Sequence, residues 1–307
     1  MRRYLYAAVA AIAIAVFAAA CGSSPASPTP GNGGGNGGNG GGNGGGGSVS
    51  NTPPTVKSIT AGDPRVEVGT PVTLTAVVED QETPVANLTY AWSAANGTFN
   101  GTGAQVTWTP GTDAVTPGDF VVTLKVTERY TSGSSQLENT ASGTLSLHVN
   151  NSPKELAELS LRFLSDFANS KISPDKCVSE FSTSTSTCAR GKQDEFNDIS
   201  DTRHDYEHIA STLRSTGLSI APNRLSATVH TFCSFTVKVI AKDPIDEPCQ
   251  GGKCPLGSTG SSTGDCWTTN VYEQGRWWLC ESHFNPAPGL NPLSAFVPNL
   301  FRRTGSR

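Results

Sequence analysis

The sequence predicts a multi-domain chain: an all-β sandwich followed by an α+β domain in which helices precede a curved antiparallel sheet. Three observations carry this. Short segments alternate at period two between Thr55 and Asn150, apolar residues recur at helical spacing after Pro153, and period two returns after Leu225. The length of 307 residues, with 33 Gly and 20 Pro, fits about two domains with linkers better than one large core.

The first element is an export signal over residues 1–20. Arg2 and Arg3 precede an apolar run from Leu5 to Ala20, too short to span a bilayer and ending in small residues. Ala18-Ala19-Ala20-Cys21 resembles the lipobox of bacterial lipoproteins, with Ala18 where Leu is usual. The resemblance implies cleavage before Cys21 and its lipidation, with diacylglycerol and palmitate-type acyl chains. The partner so implied is the membrane, inner or outer. Ala18 and Ala20 also satisfy the A-x-A rule of a soluble secreted protein, and the polar tract after Cys21 favours the anchor. Residues 21–54 form that tract. From Gly31 to Gly47 it holds only Gly and Asn, so it buries too little apolar surface to order itself and is expected to act as a tether reaching about 30 Å.

Residues 55–150 carry the sandwich. "VTLTAVVED", "LTYAWSA", "QVTWTPG" and "FVVTLKVTE" place β-branched or aromatic residues at every second position, with turn chemistry in "NGTFNGTG" and "TPGD". Roughly seven such strands in under 100 residues fit two packed sheets. Tyr90-x-Trp92, and Trp108 before a Pro-Gly turn, resemble the PKD-type immunoglobulin-like modules of bacterial surface proteins, with Phe120 in place of a Tyr. The resemblance implies a spacer or adhesion unit with Trp92 in the core.

Residues 152–285 carry the second domain. Ser152-Pro153-Lys154-Glu155 has the pattern of a capping box, with Leu156, Leu159, Phe163 and Phe167 on one helix face. Ser173-Pro174 opens a second short helix. A third is expected from about Asp198 to Arg214, burying Ile199, Tyr206, Ile209, Ala210 and Leu213. "LSATVHTFCSFTVKVIA" then reads as a strand with Ala227, Val229, Cys233, Phe235, Val237 and Val239 on one face. "CWTTNVYEQGRWWLCESHF" reads as a hairpin turning at Gln274-Gly275. This order, with the "GRWWLCESHF" ending, resembles the nuclear-transport-factor-2-like (cystatin-like cone) superfamily from about Pro153 to Phe284. The segment Asp243 to Gly264 is an insertion relative to its compact hairpin. Residues 286–307 form a Pro-rich tail, read as an extended segment.

Cysteine and histidine supply the chemistry to weigh. With Cys21 assigned to lipid, seven cysteines remain, and in an exported protein disulfides are the simplest use. The expected pairs are Cys177–Cys188, Cys249–Cys254 and Cys233–Cys280, leaving Cys266 odd. The C-x4-C spacing of Cys249 and Cys254 lacks the close pair of a zinc knuckle, so no metal is expected. His204 and His208, four apart on the expected third helix, would face solvent. The hairpin pattern puts Tyr272, Trp277, Leu279, Glu281 and His283 on one face. Enzymatic members of the cone superfamily place His or an acid in an apolar cavity. His230, Glu281 and His283 are therefore the candidate catalytic residues, and Tyr272 and Trp277 the candidate ligand contacts. No cofactor motif is present, and a net charge of −4 gives no reason to expect nucleic acid. The leading expectation is a non-enzymatic protein binding a ligand or partner at the bacterial surface. A His/Glu acid–base enzyme and a structural or adhesive protein are the alternatives.

Overall fold

A computed structural model describes residues 51–188, 191–244 and 254–287. The signal segment, Cys21, most of the tether, Cys249 and most of the Pro-rich tail therefore lie outside the described residues. The described chain is mostly β, with three four-stranded sheets and few helices.

Residues 55–150 form eight strands: β1 (Thr55–Ala61), β2 (Arg65–Glu67), β3 (Val72–Glu79), β4 (Thr89–Ala94), β5 (Thr98–Asn100), β6 (Gln105–Thr109), β7 (Gly118–Ser132) and β8 (Ser135–Asn150). They assemble into sheets of order β1-β3-β6-β5 and β2-β8-β7-β4. Alternation in β3 and β6 turns Val72, Leu74, Val106 and Trp108 inward. The second sheet contributes Val122, Leu147 and Val149 to the same core cluster. Trp108 is fully buried, and its indole N–H donates to Asn96 O at 3.1 Å. Trp92 packs beside it, donating to Gly103 O at 3.0 Å, so both indoles bury their rings with the polar edge satisfied.

The helices follow directly. In α1 (Ser152–Phe167), Leu156, Leu159, Phe163 and Phe167 are buried, as the spacing requires. The cap lies one residue earlier than expected. Asn151 accepts from Lys154 N, and Glu155 accepts from Asn151 N. Ser152 is not free to cap because its hydroxyl is tied to Glu67, Arg65 and Trp277. The second helix, α2 (Pro174–Cys177), is capped by Ser173.

The third helix differs from expectation. It runs as α3 (Lys192–Asp205), and residues expected to complete it form β9 (Tyr206–Ile220). Tyr206, Ile209, Ala210 and Leu213 satisfy helical spacing, but long-range pairing overrides it: β9 lies antiparallel to β10 (Ser226–Val239) along almost its whole length. β10 pairs in turn with β11 (Thr259–Glu273), and β11 with β12 (Arg276–Pro286), giving the order β12-β11-β10-β9. The β11–β12 turn is Gln274-Gly275, both at positive φ, as a two-residue hairpin demands. Ala227, Val229, Cys233, Phe235, Val237 and Val239 all face the helices.

Register explains why the disulfides differ from expectation. Asn270 pairs with Leu279 but Thr269 pairs with Glu281, so Cys280 is the extra residue of a β-bulge. Trp277 and Leu279 stay on the core face. Cys280 swings out to meet Cys188 with Cα atoms 5.1 Å apart, while Cys233 joins its diagonal neighbour Cys266 at 5.9 Å. Cys188 gets there because its loop runs along β12: Phe181 bridges Leu279, and Ser182 N donates to Leu279 O. Among the described residues Cys177 is the free thiol, buried with Val178 and Phe181. The pairs Cys177–Cys188 and Cys233–Cys280 are therefore not formed, and Cys266 is not the odd cysteine. Cys254 is disulfide-bonded.

Candidate functional site

The bulge also separates the residues expected to share a pocket. Trp277 is buried on the core face, whereas Glu281 and His283 project from the opposite, outer face with His230. There, one row crosses three strands: His230 is opposite Trp267, and Trp267 opposite His283. Trp267 and His283 stack at 4.9 Å between ring centroids and 16° between planes. His230 stacks more loosely on the other side at 6.2 Å and 29°. Each imidazole has its own carboxylate. His230 Nδ1 lies 2.8 Å from Asp265 Oδ2, and His283 Nε2 lies 3.0 Å from Glu281 Oε2. Arg214 sits over Phe232 in the next row at 5.8 Å. Gly217 stands opposite His230 and adds no side chain beside it. The two candidate histidines thus form, with Trp267, an open, half-buried aromatic row, and Glu281 is the carboxylate that holds His283.

Tyr272 and Trp277 are used differently. They form a joint with the first two sheets, centred on Arg65. Its guanidinium carbon lies 3.5 Å from the Tyr272 ring centroid and 5.0 Å from that of Trp277. Arg65 also donates to Ser152 Oγ and to Arg224 O, and it lies 3.4 Å from Glu67. Trp277 donates to Ser152 Oγ at 2.9 Å, and the Tyr272 hydroxyl donates to Asn150 Oδ1. Arg224 returns the contact by bonding Asp63 and Arg65 O, and His148 reaches Gly275 O. The described residues between 51 and 287 accordingly belong to one compact unit.

A third cluster was hidden by the misplaced helix. His204 ends α3 against Asp205, but His208 lies in β9 and is buried, edge-on to Phe167 at 4.8 Å and Phe235 at 5.7 Å. Neither ring nitrogen has a hydrogen-bond partner among the described residues. Burial, reinforced by the Arg203 charge, lowers its pKa to about 3, so the ring is neutral at physiological pH. Arg203 itself donates through Nη2 to Asp166 O at 3.1 Å and Phe167 O at 2.9 Å, and lies 3.9 Å from Cys177 Sγ. Its Nε and Nη1 are buried without partners among the described residues. Burial pushes the Cys177 thiol up despite the neighbouring arginine, which leaves it protonated and poorly nucleophilic. Placing His208 on a strand was the one step that would have pointed to this cluster from sequence.

No protein-family profile matches the chain, and no curated protein matches it. Among solved structures it is similar to the intermembrane space region of the chloroplast protein ARC6. The identity is 11%, over 43% of this chain and 97% of that one, with a TM-score of 0.30, a likeness that carries no argument here.

Proposed function

We propose that this is an exported bacterial envelope protein, lipid-anchored through Cys21, that binds a ligand or partner without catalysing a reaction. In this reading residues 55–150 are an immunoglobulin-like spacer, and residues 152–285 are a cone-like domain of the nuclear-transport-factor-2-like kind. The observation that carries the binding role is the His230–Trp267–His283 row. Its imidazoles are each held by a separate carboxylate and stacked on one indole across an open sheet face. Acid–base catalysis calls for groups converging on one reacting atom. A pre-ordered aromatic row with polar edges suits recognition instead. The disulfides fit an oxidising compartment.

Two experiments on the full chain test this. Cys21→Ser should abolish acyl labelling and release the protein from membranes; retained acyl chains would overturn the anchor. His230→Ala/Trp267→Ala/His283→Ala should keep the fold but weaken retention on washed envelope fragments by about tenfold or more. Unchanged retention would remove this face from the binding role.

A further inference from the structure

We propose that the edge of β11 at Thr259–Ser262 is a strand-accepting site whose occupant is this chain's own segment 288–291. That segment lies outside the described residues. The end of β12 shows where it starts. Pro286 is opposite Gly264, and Ala287 N donates to Thr263 O at 2.8 Å, so the chain leaves β12 still in ladder with β11.

The site exists because β11 is longer than its neighbour. It pairs with β10 from Thr259 onward, but β12 begins to pair with it only at Gly264. Among the described residues nothing continues the ladder on the β12 side of Thr259–Ser262. Thr259 and Ser261 alternate with Thr263, so their N–H and C=O groups face that side as those of Thr263 do. An edge of this kind accepts an extended strand.

The register of β12 decides what each following residue must do. Carried on, it places Pro288 opposite Ser262, Gly289 opposite Ser261, Leu290 opposite Gly260 and Asn291 opposite Thr259. In an antiparallel ladder alternate residues bond their opposite number, and the others turn N–H away. Ala287 is a bonded position, so Gly289 and Asn291 are bonded, and Pro288, Leu290 and Pro292 are not. Both prolines fall where no N–H is needed, as Pro286 already does. The faces agree as well. Phe284 lies on the core face and His283 on the outer one, so Leu290 comes to the core face and Gly289 and Asn291 to the outer. Gly260 brings no side chain to its row beside the buried Val237, and Leu290 supplies one. A foreign strand would have to displace a segment that is in register and joined to β12, and so present at high effective concentration.

Cysteine pairs in the full chain test this. Ser261→Cys/Gly289→Cys puts two thiols opposite each other on one face, at a Cα separation that a disulfide accepts. It should cross-link within a single chain on mild oxidation, whereas Ser261→Cys/Leu290→Cys, with its thiols on opposite faces, should not. In the parent, which needs no substitution, the Gly289 and Asn291 amides should exchange about tenfold or more slowly relative to a free peptide of residues 284–295. Leu290→Asp should remove that protection. A 261–289 cross-link that joins two chains would give the edge to a second copy. That outcome, equal cross-linking by the two cysteine pairs, or free-peptide exchange in the parent each overturns the proposal.

Discussion

Arg65 and Arg203 are both partly buried arginines in one compact unit, and they do opposite things. Arg65 is 12% exposed at its side chain, lies against two aromatic rings, and has Glu67, Ser152 Oγ and Arg224 O around it; only Nε lacks a partner. Among the described residues Arg203 has two carbonyls and a protonated thiol, no carboxylate, and two nitrogens unmet. An arginine whose donors and faces are consumed by its own chain is a fastener. One whose remaining donors are buried without acceptors among the described residues is a cost the fold carries. The residue type is the same, and the count of satisfied groups tells the two roles apart.

Truncating both separates the roles most sharply. Arg65→Ala should cost about 3 kcal/mol, because it empties a stacked site and leaves Glu67 and Ser152 without their cation. Urea unfolding should then split into two transitions, since the joint links the first two sheets to the third. Arg203→Ala should cost only about 1 kcal/mol, because losing two carbonyl contacts is offset by removing unmet donors. Similar costs at the two positions, with a single sharp transition in both variants, would erase the distinction.

His208 sharpens the Arg203 side of the comparison through pH. Its folded pKa of about 3 lies below the ordinary histidine value, so between those limits the unfolded chain binds a proton that the folded chain refuses. Its contribution is therefore neutral above about pH 6.5 and increasingly destabilising as pH falls toward 3. At pH 5 this amounts to about 2 kcal/mol. His208→Leu keeps the packing on Phe167 and Phe235 and should remove that component. The loss of stability between pH 7 and pH 5 would shrink by about 2 kcal/mol relative to the parent. An unchanged pH profile would mean that the imidazole is hydrated and protonates in place.

How far the sequence shows these features depends on whether the cause is local. The buried face of α1 and the core face of β10 follow from spacing within one element, and both are as the pattern requires. The end of α3 does not. Residues 206–213 fit either period, and only pairing with β10 decides between them. That one choice hid His208 and, with it, the surroundings of Arg203. The disulfides and the split between Trp277 and His283 share another non-local cause, the bulge at Cys280, which no count of alternate positions reveals. The joint was masked because Tyr272 and Trp277 look like ligand contacts until Arg65, 207 positions before Tyr272 and 212 before Trp277, is brought to them.

The smallest test concerns the rim of that joint. Tyr272 gives its ring to Arg65 and its hydroxyl to Asn150, whose side chain is fully buried and whose Nδ2 has no partner. Tyr272→Phe keeps the ring, including its edge contact with Trp277 at 5.4 Å, and strands Asn150 Oδ1. The expected cost is about 1 kcal/mol, a fraction of that for Arg65→Ala, with a single unfolding transition preserved. Burial raises the Tyr272 phenol against the pull of Arg65. Spectrophotometric titration of the parent should therefore show a phenol ionising above the ordinary tyrosine range, and Tyr272→Phe should lack it. If the variant instead unfolds in two steps, the hydroxyl bond to Asn150, and not the stacked guanidinium, is what fastens the third sheet to the other two.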